Sequence, residues 1–141
     1  MNRAFTTIQR QVPRKFTPQP PRHINEAKLQ TVDRKACSLI WRTKNQIEVL
    51  LQDRTTSVSF PINLRRDAGK FLTCARDGGI ASLSDSRVPK SELRIGSDKG
   101  ILYLSLKGED STITTGLAPC EAAIATSLVR FAENRRIAAS I

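Results

Sequence analysis

The feature that most constrains this chain is a repeat within it. Gln46–Thr73, shifted by 55 residues, lands on Ile101–Leu128. Ile47, Val49 and Leu51 then fall on Leu102, Leu104 and Leu106, and Thr55-Thr56-Ser57-Val58 falls on Asp110-Ser111-Thr112-Ile113. In both copies a hairpin-like pair of alternating strands runs into an amphipathic helix. Two copies at this period imply one domain with pseudo-twofold character, because a solenoid needs three or more units to close its core. The pattern therefore predicts an α+β fold: antiparallel sheet, two strand-strand-helix repeats, and helices packed on one sheet face. The other face is left for function.

The strands are read from period-two alternation between polar turns. Ala36–Thr43 alternates Cys37, Leu39 and Trp41 with Ser38 and Arg42. Gln46–Asp53 points Ile47, Val49 and Leu51 one way, and Ser57–Ile62 does so with Val58, Phe60 and Ile62. Asn63 then caps a helix with a stripe of Leu64, Ala68, Phe71, Leu72 and Ala75, and Asp77-Gly78-Gly79 stops it. In the second copy, Ile80–Leu83 and Ser91–Ile95 read as short strands, with Gly96 and Gly100 as turn residues. Ile101–Lys107 and Ser111–Leu117 follow. Pro119 opens a final helix whose buried stripe is predicted to be Ile124, Leu128 and Phe131.

Charge divides the chain. Residues 1–35 carry eight Lys/Arg against Glu26 and Asp33, whereas 36–141 carry fifteen against eleven acids. Most of the +10 net charge thus belongs to the leader. Such an excess suits a polyanion: nucleic acid, an anionic membrane surface or an acidic partner. Residues 1–25 hold five Lys/Arg, no acid and Pro13, Pro18, Pro20 and Pro21. This composition cannot bury a core, and Thr17–Arg22 is predicted to be extended or disordered, ahead of a single domain at 26–141 with repeats at about 36–79 and 80–138. Drawn as a helix, the first dozen residues place Phe5, Ile8 and Val12 opposite Arg3, Arg10 and Arg14. A mitochondrial transit peptide, a basic arm on nucleic acid and a partner-docking helix all fit that pattern.

Cys37, Cys74 and Cys120 are odd in number and widely spaced, matching neither a disulfide framework nor a zinc pattern. They imply an intracellular, reducing compartment, with a mitochondrial one open from the N-terminus. No apolar run approaches the roughly 18 residues of a membrane span. The single histidine, His23, lies in the leader without a partner carboxylate. Asp53, Asp77, Asp98, Glu109 and Asp110 fall at turns, and no glycine-rich phosphate loop is present. The expectation is a binding protein, not an enzyme, with no cofactor and no metal.

The free sheet face is predicted to carry Arg42, Glu48, Arg94, Tyr103, Ser105 and Lys107, with Ile40, Leu50 and Ile101 among them. Cations there take phosphates and flat groups take bases, at roughly 1–3 kcal/mol per stacked base. Turn cations Lys44, Arg54 and Lys99 add backbone contacts. Trp41 shares parity with Leu39 and is assigned to the core. Exposed Ile40, Leu50 and Ile101 mark an oligomer interface as the alternative.

Two stretches carry a resemblance: Ser57–Ala75, strand then Asn63-capped helix, and Ser111–Glu133, strand then Pro119-started helix. In these the chain resembles the Whirly-type and transcriptional-coactivator (positive-cofactor-four) single-strand-binding folds. Lys35-Ala36-Cys37-Ser38-Leu39 is also similar to the Lys-Ala-Ala-rich opening strand of Whirly proteins. The resemblance covers about 105 residues in pattern and has no diagnostic motif. It implies single-stranded DNA or RNA held on a curved sheet and its loops, and subunits associated through helices. It also requires a strand before Ala36, near Lys28–Val32. The resulting expectation is a homo-oligomeric single-stranded nucleic-acid-binding protein. The rival is an assembly subunit of a larger particle, a virus shell or an organellar ribonucleoprotein, with a basic N-terminal arm.

Overall fold

The structure, a computed structural model, describes residues 26–139. The leader, with its amphipathic first dozen residues and His23, lies outside them. The described chain forms two copies of one plan, four antiparallel strands and then a helix. The first copy holds β1 (Glu26–Gln30), β2 (Ala36–Thr43), β3 (Gln46–Gln52), β4 (Ser57–Asn63) and α1 (Leu64–Asp77). The second holds β5 (Gly79–Ser84), β6 (Glu92–Asp98), β7 (Ile101–Lys107), β8 (Thr112–Leu117) and α2 (Pro119–Ala139). Each sheet is a simple meander, with every strand beside its sequence neighbours. The fold is α+β, and its strands divide into one four-stranded sheet per repeat.

The 55-residue shift carries β3 onto β7 end for end, and the first residue of α1 onto that of α2. The duplication also extends two strands upstream of the segment where it is visible in sequence. Across the first sheet, Glu26, Ile40, Glu48 and Pro61 form one row; in the second, the corresponding row is Ile80, Gly96, Tyr103 and Gly116. The strand preceding Ala36 is Glu26–Gln30, slightly earlier than Lys28–Val32. It pairs with β2 through Leu29 and Cys37, both buried. Gly96 is a mid-strand residue, not a turn. The β6–β7 turn is Lys99-Gly100, whose φ angles of 54° and 84° are those a two-residue hairpin turn requires.

Alternation decides which face is buried. Leu39, Val49 and Phe60 form one inward row of the first sheet, and Leu83, Leu93, Leu106 and Ile113 one of the second. Phe60 and Phe71 are the largest fully buried side chains, so truncating either to Ala costs roughly 3–5 kcal/mol. The Asn63 cap is formed: its side-chain oxygen accepts the Arg66 N–H at 3.2 Å. At the other end, the Gly78 N–H donates to the Cys74 carbonyl at 2.9 Å.

The repeats interlock. Helix α1 lies against β4 of its own sheet but also against β5 and β6 of the next, while α2 packs on α1, β7 and β8 and reaches back to β1. The β1–β2 loop is tied to the second repeat as well. The Val32 N–H donates to the Gly116 carbonyl at 2.9 Å, and the Thr115 hydroxyl donates to Asp33 at 2.5 Å. Burial pushes the Asp33 carboxyl upward, but hydrogen bonds from Lys35, Thr115 and Thr31 overcome it and hold the group at about 2.

One predicted stripe is corrected. In α2 the buried residues are Ala125, Val129 and Ala132, while Ile124 and Phe131 are 47% and 45% exposed and Leu128 is half-buried. Both stripes are apolar, so periodicity favours neither. Close packing of α2 on α1 selects the small side chains and leaves the larger ones at the margin. Trp41 occupies the inner face as its parity requires, but only half-buried, edge-to-face with Phe131 at 5.8 Å between ring centroids.

Candidate nucleic-acid interface

The outer face of the second sheet gathers three of the residues expected to bind. Tyr103 and Lys107 point outward from β7, and Arg94 does so from neighbouring β6 opposite Ser105. Tyr103 is 43% exposed and is flanked across the sheet by two glycines, Gly96 and Gly116. With no Cβ at Gly116, the tyrosine ring can lean over the backbone. A Cβ there would stand 3.3 Å from Tyr103, from Ile101 and from Val32 at once. Ile80, at the far end of the same row, is 83% exposed. The result is a flat apolar platform, Tyr103 with Val32, Ile101 and Ile80 near it, in the middle of a solvent-facing sheet.

Polar rows follow on the same face. The next row is Ser82, Arg94, Ser105 and Thr114, and the Ser105 and Thr114 hydroxyls are bonded at 2.9 Å. Beyond it come Ser84, Glu92, Lys107 and Thr112. Glu92 accepts a hydrogen bond from Ser82, which holds its carboxyl below the usual range, and it pairs loosely with Arg94 at 3.5 Å. Two cations, hydroxyls and a flat ring thus share one surface.

The remaining expected residues are dispersed. Arg42 lies on the outer face of the first sheet and is bridged to Glu48 at 2.7 Å, so its charge is already answered. The equivalent of Tyr103 in that sheet is Glu48, and the first sheet presents no aromatic outward. Lys99 is in the β6–β7 turn and Lys44 in the β2–β3 turn. Arg54, in the β3–β4 turn at the opposite end of the first sheet, lines a hollow of about 630 Å³ with Arg34 and Lys35 and also with Asp33 and Asp53.

Sequence reasoning did not find Val32, Gly116 or Ile80 as parts of this surface. Val32 comes from a loop of the other repeat, and nothing local in the sequence brings it to β8. The glycines were detectable in principle, because a glycine inside a strand signals a close approach. Among the described residues no cluster of three or more His, Cys, Asp or Glu has the geometry to hold a metal, and no helix is long and apolar enough to cross a membrane. Compared with protein-family models, curated proteins and solved structures, the chain matches none.

Proposed function

We propose that this protein binds single-stranded nucleic acid, DNA or RNA, through the outer face of its second sheet, and does so as a homo-oligomer without catalysing a reaction. The observation that carries the reading is Tyr103, half-exposed over Gly116 with apolar neighbours, beside Arg94 and Lys107 on one face. An aromatic platform next to cations suits bases that are unstacked and phosphates that follow them, which a duplex does not offer. The pattern-level likeness to Whirly-type and positive-cofactor-four folds points the same way. The basic leader contributes an electrostatic arm or directs the chain to an organelle.

Anisotropy of fluorescent single-stranded DNA, single-stranded RNA and duplex DNA, titrated at several salt concentrations, tests the reading. Single strands should bind more tightly than duplex. Tyr103→Ala should weaken single-strand binding more than tenfold, about 1.4 kcal/mol. Equal binding of strands and duplex, or an indifferent Tyr103→Ala, would sink it.

The apolar residues outside the core favour a second reading, an assembly subunit of a larger particle. Ile124 and Phe131 on α2 face solvent in the single chain. Light scattering separates the two: a small defined oligomer supports the binder, and large particles that lose nucleic acid with the leader support the subunit.

A further inference from the structure

At the far end of the first sheet, away from the Tyr103 platform, the β2–β3 turn meets the start of α1 and the end of α2. The junction is a concavity of about 320 Å³ lined by Lys44, Asn45, Arg65 and Arg136. It contains three cations and one amide. The turn is fastened to the helix by the Leu64 N–H, which donates to the Asn45 carbonyl at 2.8 Å, so Lys44 and Arg65 are held on one rigid corner. Glu133 accepts from Arg136 at 2.7 Å and 3.1 Å and fixes that guanidinium in place. Arg135, one residue earlier, is held by stacking on Trp41 and Phe131 at 5.7 Å and 5.8 Å. Among the described residues, no carboxylate lines the concavity itself.

We propose that this concavity binds the terminal phosphate of a nucleic-acid strand. The charge argues for a phosphate monoester over an internal phosphodiester. Among the described residues, three cations less the one answered by Glu133 leave two positive charges with no carboxylate partner. A monoester carries about −1.5 to −2 near pH 7, where an internal phosphate carries a single charge. Arg65 and the Asn45 amide offer donors for the additional oxygen of a terminal group. The proposal rests on the nucleic-acid reading for its ligand but uses none of the sheet-face residues.

The test uses the full chain and single-stranded oligonucleotides labelled internally, with a 5′-phosphate, a 3′-phosphate or hydroxyls at both ends, and adenosine monophosphate as a small probe. One phosphorylated end should bind at least fivefold tighter than the hydroxyl form. Lys44→Gln with Arg65→Gln should abolish that preference, so that phosphorylated and hydroxyl-ended strands then bind alike. Lys90→Gln, at a cation that pairs with Glu109 and does not line the concavity, should leave the preference intact. Equal affinity for all three ends, or a preference that survives Lys44→Gln with Arg65→Gln, overturns the proposal. If hydroxyl-ended strands do not bind but a phosphorylated end and the monophosphate do, and only with Lys44 and Arg65 present, the sheet-face reading falls and the phosphate site stands. If neither strands nor the monophosphate bind, both fall.

Discussion

Tyr103 lies where it does because residue 116 is glycine: a Cβ at that position would stand 3.3 Å from the ring. Ile101 and Val32 approach the same point equally closely, so three side chains from two repeats converge on one missing methyl group. The platform is therefore a property of β8 and the β1–β2 loop as much as of the tyrosine. Gly116→Ala asks each neighbour to give by a few tenths of an ångström, while the methyl restores some of the strand propensity a glycine forfeits. Gly116→Val adds volume with nowhere to go, at roughly 1–3 kcal/mol. Urea unfolding should find Gly116→Ala within about 1 kcal/mol of the parent, and Gly116→Val clearly less stable. Single-strand affinity should fall for Gly116→Val although Tyr103 itself is untouched.

The cations of the two outer faces should behave differently. Arg94 and Lys107 share the Tyr103 face, and among the described residues the only acid paired with either is Glu92 at 3.5 Å from Arg94. Arg42 is committed to Glu48 at 2.7 Å on the other sheet. Removing a phosphate contact lowers the slope of log affinity against log salt by roughly 0.7 for a single strand. Arg94→Gln and Lys107→Gln should each reduce the slope by about that amount, and Arg42→Gln should leave it unchanged. A slope insensitive to all three would mean that the sheet face makes no phosphate contact.

Legibility in the sequence followed physical range. Strand parity and helix caps depend on residues a few positions apart, and Ile47–Val49–Leu51, Asn63 and the Gly78 stop lie in the structure where alternation and capping put them. The meeting of Val32 with Gly116, and of Lys44 with Arg136, depends on how the repeats interlock. No local pattern encodes either. In α2 the difficulty was of another kind, since two apolar stripes compete and only the closeness of α1 decides between Ala125–Val129 and Ile124–Leu128. Tyr103 is legible as outward-facing from strand parity, but its glycine bed depends on which strands flank β7, which parity does not encode.

Acid should loosen the fold through a defined pair. Arg87 donates to the Asp85 carboxylate from its guanidinium, at 2.7 Å and 3.0 Å, and from its backbone N–H at 2.8 Å. These bonds outweigh burial and hold the carboxyl at about 2, against 3.8 for an ordinary aspartate. A carboxylate depressed on folding adds stability that is complete above the unfolded value and is lost as pH falls through the folded one. Stability should therefore decline from about pH 5 towards pH 2, with Asp33, also held at about 2, contributing in the same window. Asp85→Asn should be less stable than the parent at pH 7 but should decline less steeply on acidification. Urea midpoints at pH 7, 4 and 2.5 measure both; parallel curves for the two proteins would remove Asp85 as a cause.

Assembly should depend on the stripe of α2 that the core leaves out. Ile124, Leu128 and Phe131 recur at helical spacing, and Ile124 and Phe131 are nearly half-exposed while Ala125, Val129 and Ala132 fill the interior. Exposed leucine- and phenylalanine-sized side chains on one helix face are costly unless another surface covers them. Phe131 already leans on Trp41, so replacing it would disturb the fold as well as the face. Ile124 is the cleaner probe. Ile124→Glu should leave the thermal transition within a few degrees of the parent when both are compared at dilutions where the parent is monomeric. At higher concentration it should lower the mass measured by light scattering to that of a single chain. If the variant keeps the parent's mass, subunits associate through another surface, and the outer face of the first sheet, with half-buried Ile40, Leu50 and Pro61 in a cluster, is the next to be altered.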